Sequence, residues 1–293
     1  MKFGIIGTGL VGTALAVRLE EVGHECVGVH TRSHHSYERF HRYSNKEQMA
    51  LERLIPLVDC LFITTQDSNI RNVAELLCSK NLLISGQAWI HCSGSLPSDI
   101  LKVRDNLPVR CLSLHPLQAF ASVDNALEIL PGTHFGIEGD DWGFGEVLVK
   151  DLGGIPHHIL ASQKALYHAG AVVASNYLVV LASLAVELFA EAGFQEGEAL
   201  QSLMPLMTGT LYNLQQVGLP RALTGPIARG DAQVVQSHLD HMPLSLDKIY
   251  RELGLKALEL GKMKKTLMKL SYAPEELSLM EYLLGNSTAE DKE

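Results

Sequence analysis

The sequence has no run of basic residues and no basic tail. Of its 293 residues, 24 are Lys or Arg and 33 are Asp or Glu, which gives a formal net charge of −9. A protein that binds nucleic acid through phosphates needs a concentrated positive patch. The charge balance therefore argues against a nucleic-acid partner and favours a soluble protein.

Paired cysteines are also lacking. The chain has five cysteines, and no two of them form a CxxC pair. An odd number of cysteines that fall mostly within apolar strands fits reduced, buried thiols, and no cleavable apolar stretch precedes the first strand. We therefore expect a cytoplasmic protein.

Charge is missing altogether from Ala165 to Val186. The segment is long enough to cross a bilayer as a helix. His168, Ser175 and Asn176 interrupt it, however, and the chain has no second such run. Because an all-round apolar helix is also typical of the centre of a helical domain, we expect a buried core helix and no membrane span.

Glycine is present at a characteristic spacing near the N-terminus, in Gly7-Thr8-Gly9-Leu10-Val11-Gly12. A short apolar strand precedes this segment and a helix-forming run follows it. In that context Gly7 permits a tight turn, Gly9 lets the backbone approach a pyrophosphate, and Gly12 lets helix and strand pack closely. The pattern favours a dinucleotide site built from these six residues over a glycine-rich turn without a ligand.

An acidic residue is missing from the end of the second predicted strand, where NAD-binding proteins grip the ribose. The chain reads Thr31-Arg32-Ser33 there. A guanidinium flanked by two hydroxyls suits a 2′-phosphate, so we expect NADP(H) as the cofactor, with a solvated loop as the alternative. Thr65 and Gln66, which end the next strand, are expected at the same cofactor edge.

Hydrophobic periodicity predicts two domains. Over residues 1–160 apolar strands alternate with helices, which predicts a doubly wound α/β sheet of Rossmann type, with a surface helix over residues 36–53. Residues 161–293 show helical periodicity only, which predicts an all-α domain for substrate binding and dimerisation. The tail after Asn286 is predicted to fray.

Polar side chains end two predicted strands at the edge where Gly7 lies. Ser93 ends one strand, and His115 ends the next, just before a proline. Ligands of open α/β sheets bind at the carboxyl ends of the strands. His115 is therefore a candidate proton donor or relay, and Ser93 a candidate for orienting the same oxygen. A strand-end histidine bonded to backbone and a simple turn serine are the alternatives.

A polar stripe follows the uncharged helix at helical spacing. Lys164, His168 and Ser175 share one face, and Asn176 is adjacent. Such groups need partners, which a crevice between domains or the core itself would supply. We expect Lys164, His168 and Asn176 in catalysis and Ser175 in substrate binding. Arg229 lies in a later turn-rich loop. It is a candidate for binding a substrate carboxylate, or it forms hydrogen bonds within its own loop.

These segments together resemble a known family. They are the glycine spacing, Thr31-Arg32-Ser33, Ser93-Gly94-Ser95, His115-Pro116-Leu117-Gln118, Ser175-Asn176 and residues 223–231. The chain is similar to Rossmann-like NADP oxidoreductases with a helical C-terminal domain of unknown function, within the 6-phosphogluconate dehydrogenase-like superfamily. It also resembles the alternative class of ketopantoate reductases. The resemblance implies NADPH-dependent reduction of a small keto acid and a homodimer formed through the helical domain.

The chain departs from that resemblance at Val172, where related reductases have a catalytic lysine. Valine cannot transfer a proton, so the role passes to His115, His168 or Lys164, or the chemistry differs. We expect reduction of a small carboxylate-bearing carbonyl compound, first 2-dehydropantoate (ketopantoate) to pantoate, and no metal. An imine reductase of the pyrroline-5-carboxylate type and a non-catalytic NADP sensor are the alternatives.

Overall fold

The computed structural model describes residues 1–286, and the tail predicted to fray lies outside the described residues. Contacts divide the chain into two compact units, Met1–Tyr177 and a second unit that begins at Leu178. The helix that begins at Lys164 thus belongs to the first unit. The division falls later along the chain than the domain boundary expected at residue 160.

A single sheet forms the centre of the first unit. Within residues 1–286 it has seven strands: β1 Lys2–Ile6, β2 Glu25–His30, β3 Cys60–Ile63, β4 Ala88–His91, β5 Arg110–Pro116, β6 His134–Gly139 and β7 Ile155–His158. Their order is β2-β1-β3-β4-β5-β6-β7, and all neighbours are parallel except β5 and β6. The strand order reverses direction beside β1, which is the switch point of a doubly wound sheet. The predicted Rossmann-type sheet is confirmed.

Helices connect these strands. They are α1 Leu10–Glu21, α2 His34–His41, α3 Leu51–Leu54, α4 Asp67–Ser79, α5 Val123–Ile129, α6 Trp142–Asp151 and α7 Lys164–Ala174. The single helix predicted over residues 36–53 is present only at its two ends, as α2 and α3, and the segment between them is not helical. Val29 of β2 instead exchanges backbone hydrogen bonds with Glu47 and Met49, because an edge strand has free donors and acceptors that an extended segment satisfies.

The strands of the sheet are buried on both faces, as their apolar composition predicts. Side chains with essentially no exposure fill the space between sheet and helices, among them Phe3, Ile5, Phe62, Trp89, Ile90 and Leu112. This core holds the carboxyl ends of β1, β4 and β5 at one edge of the sheet.

The second unit is helical throughout its described residues, as predicted. Its helices are α8 Asn176–Glu191, which begins at the end of the first unit, α9 Glu196–Val217, α10 Gly225–Arg229, α11 Ala232–Asp240, α12 Leu244–Leu267 and α13 Pro274–Gly285. Leu239, Leu258 and Met280 belong to the small core that joins α11, α12 and α13. Helix α13 was not predicted.

The uncharged segment forms two helices, α7 and α8, that meet at Ser175. The stretch Ala161–Glu191 has a mean hydropathy of 1.9 and is long and apolar enough to cross a membrane, yet none of its most apolar window is buried. Leu166 is 79% exposed and Val179 is 71% exposed. The expectation of a buried core helix is therefore wrong for a single chain. Apolar side chains lie on all sides of both helices, and the other described residues bury only some of these side chains.

Candidate functional site

The glycine-rich turn between β1 and α1 is closely packed. Gly7 has φ +102°, and Thr64, at the end of β3, donates from its hydroxyl to the Gly7 carbonyl at 2.6 Å. A Cβ at Gly12 would lie 2.3 Å from both the Gly7 oxygen and the Thr64 hydroxyl. Only glycine lets the helix cross the strand this closely.

The start of α1 is open to a ligand. Gly9 precedes the helix, and no side chain of residues 1–286 caps it. A Cβ at Gly9 would meet only the Thr64 carbonyl, at 4.0 Å. The first backbone N–H groups of a helix have no partner within it, and they lie at the positive end of the helix dipole. Leu10, Val11 and Gly12 supply such groups, which fits a pyrophosphate.

A cavity of about 910 Å³ opens at this turn. The residues predicted for the cofactor that line it are Gly7, Thr8, Gly9, Thr31, Arg32, Ser33, Thr65 and Gln66. Ser33 also caps α2 by accepting from the Ser36 N–H at 3.2 Å, and Gln48 donates to the Thr31 carbonyl at 2.8 Å. The loop that carries Arg32 is thus held at both sides.

Arg39, in α2, lines the same cavity, and the sequence reasoning missed it. Its Nη2 donates to the Thr8 carbonyl at 3.0 Å. Its Nε and the Thr8 hydroxyl are buried and, within residues 1–286, have no hydrogen-bond partner. Two guanidiniums and an unpartnered hydroxyl beside an open helix start fit a dinucleotide that carries an extra phosphate. In the sequence, Arg39 looks like one of several charges on a surface helix, so nothing distinguishes it.

A second cavity, of about 470 Å³, lies beside the end of β5, and all of its lining residues belong to the first unit. The predicted residues that line it are His115, His168, Ser175 and Asn176. Tyr167, Gln118 and Val172 line it as well. The structure therefore brings four of the seven predicted catalytic and substrate residues together.

The rings of His115 and His168 approach each other over Gly94. A Cβ at Gly94 would lie 2.6 Å from the His168 ring and 2.8 Å from Nε2 of His115. The ring centroids are 6.1 Å apart. The absence of a side chain at Gly94 thus leaves space for both imidazoles. This is the contribution of the predicted Ser93-Gly94-Ser95 turn.

Ser93 closes this turn and has no free hydroxyl proton for a substrate. Its Oγ donates to Asp67 at 2.6 Å and accepts from the Leu96 N–H at 3.1 Å. Asp67 accepts a hydrogen bond from the Ser95 hydroxyl as well. The interpretation of Ser93 as a substrate-orienting residue is corrected accordingly, because the carboxylate of α4 already occupies its donor.

Lys164 is 2% exposed and lies behind the cavity wall. Its Nζ donates to the Ser93 carbonyl at 3.1 Å and to the Ser113 hydroxyl at 2.5 Å. Burial lowers its pKa to about 8, and the nearby Glu138 opposes that shift. Lys164 therefore joins α7 to the ends of β4 and β5 and does not line the cavity, contrary to the expectation that it takes part in catalysis.

His115 is neutral at physiological pH. Burial lowers its pKa to about 4, and the charges of Lys164 and His168 add to the effect. A neutral imidazole can donate a hydrogen bond, but it has no imidazolium proton to transfer. The role of polarising an oxygen thus fits His115, and the role of protonating it does not.

Arg229 lies in the second unit as the last residue of α10, and it is exposed. Its carbonyl accepts from Lys265 at 3.4 Å. Every residue that lines the His115 cavity comes from the first unit. Arg229 is therefore not among that cavity's lining residues.

The sheet order and the glycine-rich turn define the class of the protein, a Rossmann-like dinucleotide fold. Residues 1–116 match the sequence model of the Rossmann-like domain. Residues 133–257 match a domain of unknown function, DUF2520. The two matched segments follow each other in the chain, and each covers less than half of it.

Solved structures share this fold over nearly the whole chain. A "putative NADP oxidoreductase" from Bacteroides fragilis is 22% identical, with a TM-score of 0.67 over 88% of this chain and 98% of its own. A protein from Thermotoga maritima is 25% identical, with a TM-score of 0.62 over 91% and 98%. A 1-pyrroline-5-carboxylate reductase from Streptococcus pyogenes is 16% identical, with a TM-score of 0.56 over 98% and 99%. No curated protein sequence matches the chain.

Proposed function

We propose that this chain is an NADPH-dependent reductase of a small carbonyl compound that bears a carboxylate, with 2-dehydropantoate as the leading substrate and pantoate as the product. The observation that carries the proposal is His115, whose neutral ring lines a cavity at the same sheet edge as the glycine-rich turn. The names of two proteins with this fold, an NADP oxidoreductase and a pyrroline-5-carboxylate reductase, support the reductase class.

The cofactor is held by backbone and by cations of the first unit. The open start of α1 would bind the pyrophosphate, and Arg32 and Arg39 would bind the 2′-phosphate. No carboxylate follows β2 at the position where one would repel that phosphate. Bound NADPH would supply the hydride.

In the second cavity, His115 would donate a hydrogen bond to the carbonyl oxygen and so favour attack at the carbonyl carbon. The oxygen then needs a proton, and His168, which lines the same cavity, is the candidate donor. None of the described residues that line this cavity is Lys or Arg. The amides of Gln118 and Asn176 and the hydroxyl of Ser175 would therefore hold the substrate carboxylate as neutral donors.

The proposal is tested by following NADPH oxidation with a panel of 2-keto acids, including 2-dehydropantoate, and with 1-pyrroline-5-carboxylate. We expect turnover of 2-dehydropantoate, and a loss of about 100-fold in kcat for His115→Ala with unchanged NADPH affinity. Turnover of the imine alone would instead identify an imine reductase. NADPH binding without turnover of any compound would leave a non-catalytic NADP sensor.

We also propose that the exposed apolar sides of α8 and α9 bind a second copy of this chain. Val179 is 71% exposed, Leu206 is 65% exposed and Tyr212 is 60% exposed. Large apolar side chains exposed in this number are unusual on a monomer and typical of homodimer interfaces. A symmetric pair of copies would cover the same helices on both chains.

A membrane is the poorer partner for this surface. Helix α7 is tied to the sheet by Lys164 and Tyr167, so it cannot extend α8 into a bilayer. The 16 residues of α8 alone span about 24 Å, which is less than the hydrocarbon core of about 30 Å. The unpaired state of all five cysteines supports a cytoplasmic location for such a dimer.

Light scattering during size-exclusion chromatography tests the assembly. We expect a dimer for the unaltered chain and a monomer for Val179→Lys combined with Leu206→Lys. The substitution Val147→Lys, at another exposed valine, is the matched control and should leave the dimer intact. A monomeric chain that partitions onto lipid vesicles would overturn the proposal in favour of a membrane.

A further inference from the structure

Tyr167 contacts the residue that carries the proposed chemistry. Its hydroxyl lies 2.9 Å from Nδ1 of His115. The two rings meet edge to face, with centroids 5.5 Å apart and planes at 89°. Tyr167 lies on α7 and His115 on β5, so this contact joins two elements that are far apart in the sequence.

The fold provides space for this hydroxyl. Gly136 of β6 is the antiparallel partner of His115 in the sheet register. A Cβ at Gly136 would lie 2.8 Å from the Tyr167 hydroxyl. Glycine at this position therefore lets the phenol reach the imidazole from the neighbouring strand.

The direction of the hydrogen bond follows from the chemistry of the two groups. Burial raises the pKa of Tyr167, and a hydrogen bond that the phenol oxygen accepts from the Gly136 backbone only partly opposes this, so the group remains a phenol. Among the side-chain hydrogen bonds of residues 1–286, the acceptor available to the phenol O–H is Nδ1 of His115. A half-buried O–H needs such an acceptor, so the phenol donates to Nδ1.

A neutral imidazole carries one proton. If Nδ1 accepts from Tyr167, that proton is on Nε2. Nε2 lies on the side of the ring that faces Gly94, and the His168 ring, which lines the cavity, also approaches Gly94. The N–H donor of His115 is then on the side of the ring where His168, the candidate proton donor, lies.

We propose that Tyr167 is a positioning residue that holds His115 in the Nε2–H tautomer and so presents this N–H to the carbonyl oxygen of the substrate. The tautomer is a property of the chain alone, whereas the last step rests on the proposed reductase function. Tyr167 itself does not receive or give up a proton in the reaction.

The tautomer is measured by nitrogen NMR of the imidazole of His115 in the full-length protein near pH 7, with His115→Gln used for assignment. We expect Nδ1 to be unprotonated and hydrogen-bonded, and Nε2 to be protonated. In Tyr167→Phe the Nδ1 resonance should move to that of an acceptor without a partner. A protonated Nδ1 in the unaltered chain would overturn the proposal, whatever the activity of the protein.

The kinetic consequence is measured on the same variants. Tyr167→Phe should lower kcat about 10-fold, the loss of roughly one oriented hydrogen bond, and leave NADPH affinity unchanged. Tyr43→Phe removes a hydroxyl from a tyrosine outside both cavities and should change neither value. An unchanged kcat in Tyr167→Phe would overturn the positioning role. Absence of turnover in the unaltered chain would refute the reductase function and leave the NMR result to decide the tautomer.

Discussion

The two cavities of the first unit are built by different means. The cofactor cavity begins at backbone: a glycine turn, an open helix start and the ends of β1 and β3. The His115 cavity is built from side chains of β5 and α7, which are separated by about fifty residues of sequence. A backbone site follows from local residue types, whereas a site made of distant side chains follows from the packing of the whole unit.

This difference explains why the sequence reasoning named a larger share of its predicted residues correctly as lining the first cavity than the second. Gly7, Gly9 and Gly12 have meaning at their own spacing, because a turn and a helix start are local structures. Tyr167 and Gly136 have no such spacing, and their importance arises only when β6 and α7 meet at His115.

The largest expected effect comes from breaking the backbone cavity. Even a single Cβ at Gly12 would lie 2.3 Å from the Gly7 oxygen, and Gly12→Val adds two further methyl groups, so α1 must move away from β1. We expect NADPH affinity to fall by about 100-fold or more, measured by fluorescence titration.

The matched control is Gly143→Ala in α6, where a Cβ would meet only Asp141, at 3.8 Å. This variant should bind NADPH like the unaltered chain. Equal binding by Gly12→Val would show that the turn does not form the cofactor cavity.

The next effect separates the predicted arginine from the one that the fold revealed. Arg32→Ala and Arg39→Ala should each lower the affinity for NADPH about 10- to 100-fold, since each removes a charged hydrogen-bond donor to the 2′-phosphate. The affinity for NADH, which lacks that phosphate, should change little. Arg71→Ala, at an arginine paired with Glu75 outside the cavity, is the control. Equal losses for NADPH and NADH would contradict the assignment.

The smallest effect concerns the buried lysine behind the side-chain cavity. The folded pKa of Lys164 is about 8, below its ordinary value of 10.5, so the unfolded chain binds more protons between these two values. Unfolding free energy should therefore rise with pH, by about 2 kcal/mol from pH 8 to pH 10, through this group.

Denaturant titrations of the unaltered chain and of Lys164→Met over that pH range measure the effect. The rise should be smaller in Lys164→Met by the amount that this group contributes. Lys80→Met, at an exposed lysine, should leave the rise unchanged. Identical pH dependence in all three proteins would mean that Lys164 keeps an ordinary pKa.

Much of the fold could be predicted because it rests on periodicity. The strands of the sheet, α1 and the all-helical second unit follow from apolar patterns that a few neighbouring residues define. The helix over residues 36–53 was mispredicted because Glu47 and Met49 pair with the edge strand β2, a contact that no local pattern reports.

The uncharged segment shows the same limit. Its composition indicates apolar helices correctly, but composition is the same for a core helix, a membrane span and an interface. Its exposure along α7 and α8 is a property of the folded chain.

By itself the sequence determined the Rossmann-type sheet, the glycine-rich turn, the arginine after β2 and the histidine at the end of β5, because each depends on residues close together in the chain. The tertiary structure decided what these groups contact. In the folded chain Lys164 and Ser93 lie behind the His115 cavity and bond to neighbouring residues. Arg39 lines the cofactor cavity, and the Tyr167 hydroxyl contacts His115. Burial and distance govern hydrogen bonds and pKa values, and both arise only when the strands and helices have packed.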